Sequence, residues 1–223
     1  MAKLIITIDG PAGSGKSTAA KLLAKKIDAA FLDTGAMYRA VTLAAMQNQL
    51  DLADIEAIEN LIDIADFKFE IENNQMTVKI NNKDVTEQIR DPKVTKNVHF
   101  VASQPSLRSR LVQMQQNFAK KHQKIVTEGR DQGTVVFPDA DYKFFLTANS
   151  LERAKRRAEE LTQKGHKVDL TKLHSDIENR DASDKNRDTG PLIPAKDAIT
   201  IDNTNWTPEQ TLNEIFKIIT KKN

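Results

Sequence analysis

The run Gly10-Pro11-Ala12-Gly13-Ser14-Gly15-Lys16-Ser17-Thr18 meets every fixed position of the pattern G-x-x-x-x-G-K-[S/T], directly after the apolar stretch Leu4–Ile8. Few sequence features restrict a fold more. A buried strand must deliver the chain into a tight, glycine-turned loop. A helix must then begin at about Lys16, so that its first N–H groups and those of the loop face a common centre. Such a nest binds phosphate. Lys16 is placed to reach the β- and γ-phosphates of a nucleoside triphosphate, and the Ser17 hydroxyl to ligate Mg²⁺. Residues Gly10 through Thr18 are therefore the expected ATP-binding loop.

The rest of the chain continues the strand–helix alternation that this opening demands. Short apolar runs at Leu4–Ile8, Ala29–Leu32, Lys124–Thr127, Tyr142–Leu146 and Ala198–Ile201 suit buried parallel strands. Between them, Ser17–Ile27, Pro105–Phe118 and Ser150–Leu161 repeat apolar residues at helical spacing. Thr207-Pro208-Glu209-Gln210 reads as a capping box opening the last helix. The expected fold class is α/β, a P-loop, doubly wound, five-stranded parallel sheet. Phe67 to Lys83 alternates with period two around Asn73-Asn74-Gln75 and Asn81-Asn82-Lys83, which predicts an antiparallel hairpin with room for a third strand at Asp84–Thr86. The expected division is a core of residues 1–63 and 101–223 with a small insert at 64–100. The polar, charged and irregular stretch Lys164–Pro194 belongs to a mobile lid at about 158–190, or equally to a solvated helical hairpin.

Composition narrows the function classes. The chain has 223 residues, 39% hydrophobic and 29% charged, with a formal net charge of +2. That describes an ordinary globular protein and gives no broad basic surface for nucleic acid. It has no cysteine and four scattered histidines, so neither thiolate chemistry nor a His-built metal site is expected. The first apolar run is five residues long, and no stretch approaches the roughly 18 apolar residues of a membrane span. The expected location is the cytoplasm, and nothing demands an oligomer, so a monomer is expected.

Open α/β sheets bind ligands at the carboxyl ends of their strands. Asp33-Thr34-Gly35-Ala36-Met37-Tyr38-Arg39 follows the second parallel run and Glu128-Gly129-Arg130-Asp131 the third, so both lie on the edge that carries the phosphate loop. Charged clusters there are costly to bury without partners, which favours ligand binding. Arg180, Asp184 and Arg187 stand at i, i+4 and i+7, on one face of a helix or on a solvated ion-pair face. Arg153 and Arg157, one turn apart, either contact ATP or form the wet side of an amphipathic helix. No N-K-x-D guanine-reading motif occurs, which counts against a GTP-driven switch.

These blocks together resemble the bacterial cytidylate kinases over nearly the whole chain. The phosphate loop, Leu32-Asp33-Thr34-Gly35-Ala36-Met37-Tyr38-Arg39 and Glu128-Gly129-Arg130-Asp131-Gln132-Gly133-Thr134-Val135-Val136-Phe137-Pro138-Asp139-Ala140 stand in that family's order and spacing. The hairpin insert, Arg180-Asp181-x-x-Asp184-x-Asn186-Arg187 and Pro191-Leu192-x-Pro194-Ala195 also fit. Short P-loops are common to many enzymes, whereas the block from Glu128 to Ala140 is specific.

The resemblance implies transfer of the ATP γ-phosphoryl group to CMP or dCMP, with Mg²⁺ bridging the nucleotide phosphates, in pyrimidine nucleotide metabolism. It implies a core, a monophosphate-binding insert and a lid. Carried over by position, Thr34, Tyr38, Arg39, His99, Arg108, Arg130, Asp131, Arg180, Asp184 and Arg187 form the acceptor site. Arg39, Arg108 and Arg130 would hold the CMP phosphate, since guanidinium forks suit phosphate oxygens. Asp131 and Asp184 would bind the sugar hydroxyls, and Lys16, Arg130, Arg180 and Arg187 would act on the transferring group. Either Asp33 or Glu128 would help Ser17 position Mg²⁺. Two positions depart from the family pattern. His99 stands where a serine usually touches cytosine, nine positions before Arg108, and Ser183 stands where some members carry another arginine. The rival readings are another P-loop kinase of a small molecule or different monophosphate, and a nucleotide-regulated binding module.

Overall fold

The computed structural model describes residues 4–72, 75–163, 165 and 167–221. In chain order the elements are β1 (Leu4–Asp9), α1 (Lys16–Lys26), β2 (Ala30–Asp33), α2 (Thr34–Gln47), α3 (Ile55–Ile64), β3 (Phe67–Glu72), β4 (Gln75–Ile80) and β5 (Lys83–Asp84). There follow α4 (Pro92–Ala102), α5 (Pro105–Lys120), β6 (Lys124–Gly129), β7 (Tyr142–Thr147), α6 (Ser150–Gln163), α7 (Leu170–Asn186), β8 (Ile199–Asp202) and α8 (Pro208–Lys221). A five-stranded parallel sheet has the order β2-β6-β1-β7-β8, and β3-β4-β5 form a separate three-stranded sheet. The expected α/β class and antiparallel addition are both present. The chain divides into two compact units, residues 30–125 and residues 4–29 with 126–221.

The second unit carries the phosphate loop. β1 pairs in parallel with β7, Ile6 opposite Tyr142 and Ile8 opposite Phe144, and β7 pairs with β8. Ile6, Thr7 and Ile8 are consecutive and all buried, as a strand covered on both faces requires, and Phe144 and Leu146 are buried beside them on β7. Ala19, Ala20, Leu23 and Ala24 form the buried stripe of α1, which packs on α8 with its buried Ile215 and Ile219. The capping box at α8 is reciprocal: Thr207 N donates to Gln210 Oε1 at 2.8 Å, and Gln210 N to Thr207 Oγ1 at 3.2 Å.

In the other unit an Asp side chain caps each of three helices. Asp33, Asp54 and Asp91 accept from Ala36 N, Ala57 N and Lys93 N at the starts of α2, α3 and α4. The β3–β4 ladder runs in register from Phe67 opposite Ile80 to Glu72 opposite Gln75. Met76, Val78 and Ile80 are buried on one face, while Lys79 on the other meets Glu70 and Glu72, each at 3.0 Å. Asn81 and Asn82, with φ of 50° and 64°, make the two-residue turn that leads into β5. Asparagine tolerates that left-handed backbone, and the turn twists with its strands.

Several expectations change in detail. β2 and β6 extend to Asp33 and Gly129, so Asp33 and Glu128, expected just beyond the strands, are strand residues. The antiparallel region ends at Asp84, two residues before the expected Thr86, and residues 92–100 of the expected insert belong to the helix α4, which runs on to Ala102. The stretch read as irregular is largely α7, with its N-cap Asp169 accepting from Thr171 N and Lys172 N. Only Ile177 and Asp181 of that helix are buried, so its sequence lacks the apolar stripe that signals a helix. Arg187, expected on the same helical face as Arg180, stands one residue past α7 in extended backbone. The expected hairpin residues Asn73 and Asn74, and Lys164 and His166 of the expected lid, lie outside the described residues.

Candidate active site

The phosphate loop leaves β1 so close to β7 that a Cβ on Gly10, whose φ is 154°, would lie 2.1 Å from Leu146 O. Only glycine fits there. From that root the backbone folds back on itself until α1 begins at Lys16. The Lys16 ammonium is buried and donates to Pro11 O at 3.1 Å, with Glu128 Oε2 3.9 Å away. Burial first, and then the charge of Arg130, push its pKa down to about 7. An anion delivered into the loop relieves that strain, and triphosphate oxygens are such anions.

Ser17 Oγ donates to Glu128 Oε1 at 2.8 Å. A hydroxyl and a carboxylate are the hard oxygen donors that Mg²⁺ takes, and it usually completes its shell with water and substrate phosphate. No group of three or more His, Cys, Asp or Glu side chains able to cage a metal by themselves occurs among the described residues. The pair fits a metal held jointly with a nucleotide. Asp33, the other candidate carboxylate, is engaged in its own unit, where it caps α2 and lies 3.5 Å from Arg39 Nη2 and 3.9 Å from Arg90 Nη2.

Beyond Glu128 the chain turns through Arg130 and Asp131 into a short π-helix at Gln132–Val136. Arg130 Nε donates to Asp184 Oδ2 at 2.7 Å. Arg187 Nη1 stands 3.6 Å from Asp184 Oδ1, and Arg187 Nη2 stands 4.0 Å from Asp131 Oδ2. Burial alone would raise the Asp184 pKa, but Arg130, then Arg180 and Arg187, outweigh it and hold the carboxylate below its ordinary value. Arg180 is exposed on α7, and its charge acts on both Lys16 and Asp184. Four of the expected acceptor and catalytic residues, Arg130, Asp131, Asp184 and Arg187, thus form one network, and Arg180 adds charge to it.

The two arginines of α6 part ways. Arg153 is buried and donates to Ala12 O at 2.8 Å and Ala148 O at 2.9 Å, with Asp181 Oδ2 at 2.5 Å. Asp181 Oδ1 in turn accepts from Ala12 N at 3.2 Å, so α7 grips the loop backbone. Arg157 instead pairs with Glu160 at 2.7 Å along the exposed side of α6. Its neighbour Arg156, unremarked in the sequence, donates to Asn203 O at 2.7 Å, while Asn203 Nδ2 donates to Ser14 O at 3.0 Å. Asp9, Arg156, Asp181 and Asn203 brace the loop and its surroundings without forming any phosphate-binding pattern. No local sequence pattern marks Arg156, Asp181 or Asn203 as interior, since α7 lacks an apolar stripe and Asn203 follows the end of β8.

In the unit of residues 30–125, Thr34 is buried at the first turn of α2. The Arg108 guanidinium lies 5.6 Å from the Tyr38 ring centre and donates through Nη1 to Ala102 O at 2.9 Å. Arg39 Nε is buried with no hydrogen-bond partner among the described residues. A guanidinium half engaged in this way has donors to spare for an anion. His99 is exposed on α4, its Nδ1 2.8 Å from Lys96 O and its ring 4.2 Å from that of Phe100. Ser183 is exposed on α7.

The sequence model of the cytidylate kinases, described as "Cytidylate kinase", matches residues 6–221. The chain belongs to the cytidylate kinase family. Cytidylate kinases of Clostridium botulinum (strain Okra) and Desulforamulus reducens are 44% and 45% identical over 221 and 216 residues. These alignments cover 99% and 97% of this chain and 100% and 96% of those relatives. The cytidylate kinase of Lactobacillus johnsonii is 45% identical over 217 residues, 97% of this chain and 94% of that one. A solved structure of an uncharacterized protein from Eubacterium ventriosum shares the fold, with a TM-score of 0.53, 17% identity and coverage of 98% and 99%. As a member of this family the chain is a nucleoside monophosphate kinase, a phosphotransferase on a P-loop fold. No described helix is long and apolar enough to cross a membrane.

Proposed function

We propose that this chain transfers the γ-phosphoryl group of ATP to CMP or dCMP, giving ADP and CDP or dCDP, in the cytoplasm and as a monomer. The observation that carries the reading is the sequence of groups within one unit: Lys16 and Ser17 on the phosphate loop, Glu128 against both, and Arg130 two residues further on. Two cations, Lys16 and Arg130, on either side of a hydroxyl–carboxylate pair suit a phosphoryl group in transit.

The reaction asks for positioning and charge rather than covalent catalysis, because a loose, metaphosphate-like transition state spreads negative charge over its equatorial oxygens. The loop N–H groups and Lys16 hold the donor phosphates. Ser17 and Glu128 would hold Mg²⁺, which supplies charge neutralisation at the β- and γ-phosphates. Arg130, with Arg180 and Arg187, stabilises the group being transferred. Arg39 and Arg108, together with Arg130, hold the acceptor phosphate, and Asp131 and Asp184 accept from the sugar hydroxyls. Thr34, Tyr38 and His99 complete the acceptor contacts. The nucleophile is an already ionised phosphate oxygen, so no general base is required. The region 158–190 acts as a lid that excludes water, and residues 64–100 act as the monophosphate-binding insert.

The test is ADP formation from ATP and Mg²⁺ with CMP, dCMP, UMP, AMP, GMP or shikimate, beside Lys16→Ala. Dependence on CMP or dCMP that is lost in Lys16→Ala is the expected result. Slow ADP release that ignores every acceptor would overturn it.

A further inference from the structure

Asp9 ends β1 and precedes the first glycine of the phosphate loop, and the proposed reaction assigns it nothing. The residue is 5% exposed. It accepts from two consecutive backbone N–H groups: Gln132 N donates to Oδ1 at 2.9 Å and Gly133 N to Oδ2 at 2.8 Å. A carboxylate is the side chain that can take both, since it offers two acceptor oxygens and no hydrogen. The arrangement is costly. Burial pushes the Asp9 pKa up to about 6 in spite of both N–H groups and of the nearby Arg130, with Asp131 adding to the rise. A neutral residue in this place would be cheaper and would hold one amide only.

The bonds fix a particular piece of backbone. Arg130 and Asp131 lie between the end of β6 at Gly129 and the two amides that Asp9 holds. Asp131 O accepts from Val135 N at 2.9 Å and Val136 N at 3.2 Å, and Gln132 Oε1 accepts from Thr127 Oγ1 at 2.9 Å. Gly133 approaches so closely that a Cβ there would lie 3.0 Å from Thr7 Oγ1 on β1. The peptide units following Asp131 are thus held from both sides, and the direct tie from the root of the phosphate loop is Asp9.

We propose that Asp9 is a positioning residue, which locks the turn bearing Arg130 and Asp131 to the root of the phosphate loop and thereby sets how well the acceptor nucleotide is gripped. This rests on the proposed function, in which those two side chains meet the acceptor. Asp9→Asn keeps the size but turns an NH₂ group toward one of the two amides, so one bond is lost. With saturating ATP, Asp9→Asn is expected to raise KM for CMP by about 10- to 100-fold, the scale of a misplacement near 1 Å. Its affinity for the non-hydrolysable donor AMP-PNP stays within about threefold of wild type, because the loop itself is untouched.

A KM for CMP within about twofold of wild type overturns the proposal, as does an equal loss of AMP-PNP affinity, which marks general damage to β1. Amide exchange in the wild type decides the matter even if Asp9→Asn does not fold. Gln132 and Gly133 amides slowed by about tenfold or more, and slowed further by CMP, support the lock, whereas fast exchange at either removes it. A wild type that makes no ADP with CMP overturns the acceptor reading itself. An active wild type with an unaltered Asp9→Asn overturns the role of Asp9 alone.

Discussion

Ser17 Oγ and Glu128 Oε1 lie 2.8 Å apart, joining the first turn of α1 to the penultimate residue of β6. The bond orients a hydroxyl that would otherwise rotate freely, and it leaves Glu128 Oε2 toward Lys16 at 3.9 Å. One carboxylate therefore meets both the hydroxyl proposed to hold Mg²⁺ and the ammonium proposed to hold phosphate. Removal of either partner is expected to weaken the response to Mg²⁺ rather than to the acceptor. Ser17→Ala and Glu128→Gln should each raise the Mg²⁺ concentration for half-maximal ADP formation by about 10- to 100-fold. A Mg²⁺ titration at fixed ATP and CMP measures it, and unchanged midpoints in both variants would refute the assignment.

The clasp between Arg153 and Asp181 makes a prediction about stability. Both groups are buried, and both also bind the backbone of Ala12. Removing one partner strands the other charge, at a cost of about 3–5 kcal/mol, while replacing both with apolar residues costs far less. Arg153→Met and Asp181→Leu should each lower the urea midpoint strongly, and the double variant should recover much of the loss. A double-mutant cycle with a coupling below about 0.5 kcal/mol would show that the pair acts independently.

The groups that do the proposed chemistry were legible because the chemistry requires them in one local pattern. A G-x-x-x-x-G-K-S run after an apolar strand has one structural solution, and Glu128 to Ala140 forms an unbroken block. The groups that brace the site were not legible. Arg156 and Arg157 are adjacent arginines on one helix, and nothing in the local sequence says that the first turns to Asn203 and the second to Glu160. Asp181 sits in a helix so polar that periodicity does not mark its buried side. The helices α2, α3 and α4 escaped a reading based on apolar spacing, although Asp33, Asp54 and Asp91 stand as caps at their starts.

Asp9 carries a pH prediction of definite sign. Its pKa is pushed up to about 6 in the folded chain, above its ordinary value of 3.8, so between these values the folded state binds more protons than the unfolded one. Its contribution to stability is therefore greatest below pH 3.8 and is lost as pH rises to about 6. Asp9→Asn lacks this titration, while the other groups cancel in the comparison. The stability of Asp9→Asn relative to wild type should rise by up to about 3 kcal/mol across that window and then level off. Urea unfolding of both proteins from pH 4 to 7 measures the difference, and a flat difference would refute the shift.

Gly129 and Gln132 offer a test by compensation. A Cβ on Gly129 would lie 2.8 Å from Gln132 Cγ and 3.0 Å from its Nε2, so Gly129→Ala must displace the glutamine from its bond with Thr127 Oγ1. The backbone on which Gln132 sits is the one that positions Arg130 and Asp131. Gly129→Ala should therefore lower kcat/KM for CMP by about tenfold or more, since a small misplacement of charged groups at a transferring phosphoryl is costly. Gln132→Ala removes the obstructing atoms. Because the clash is with that side chain and not with backbone, Gly129→Ala combined with Gln132→Ala should return to within about threefold of Gln132→Ala alone. If the double variant stays as impaired as Gly129→Ala, the glycine is needed for its backbone and not for the room it leaves to Gln132.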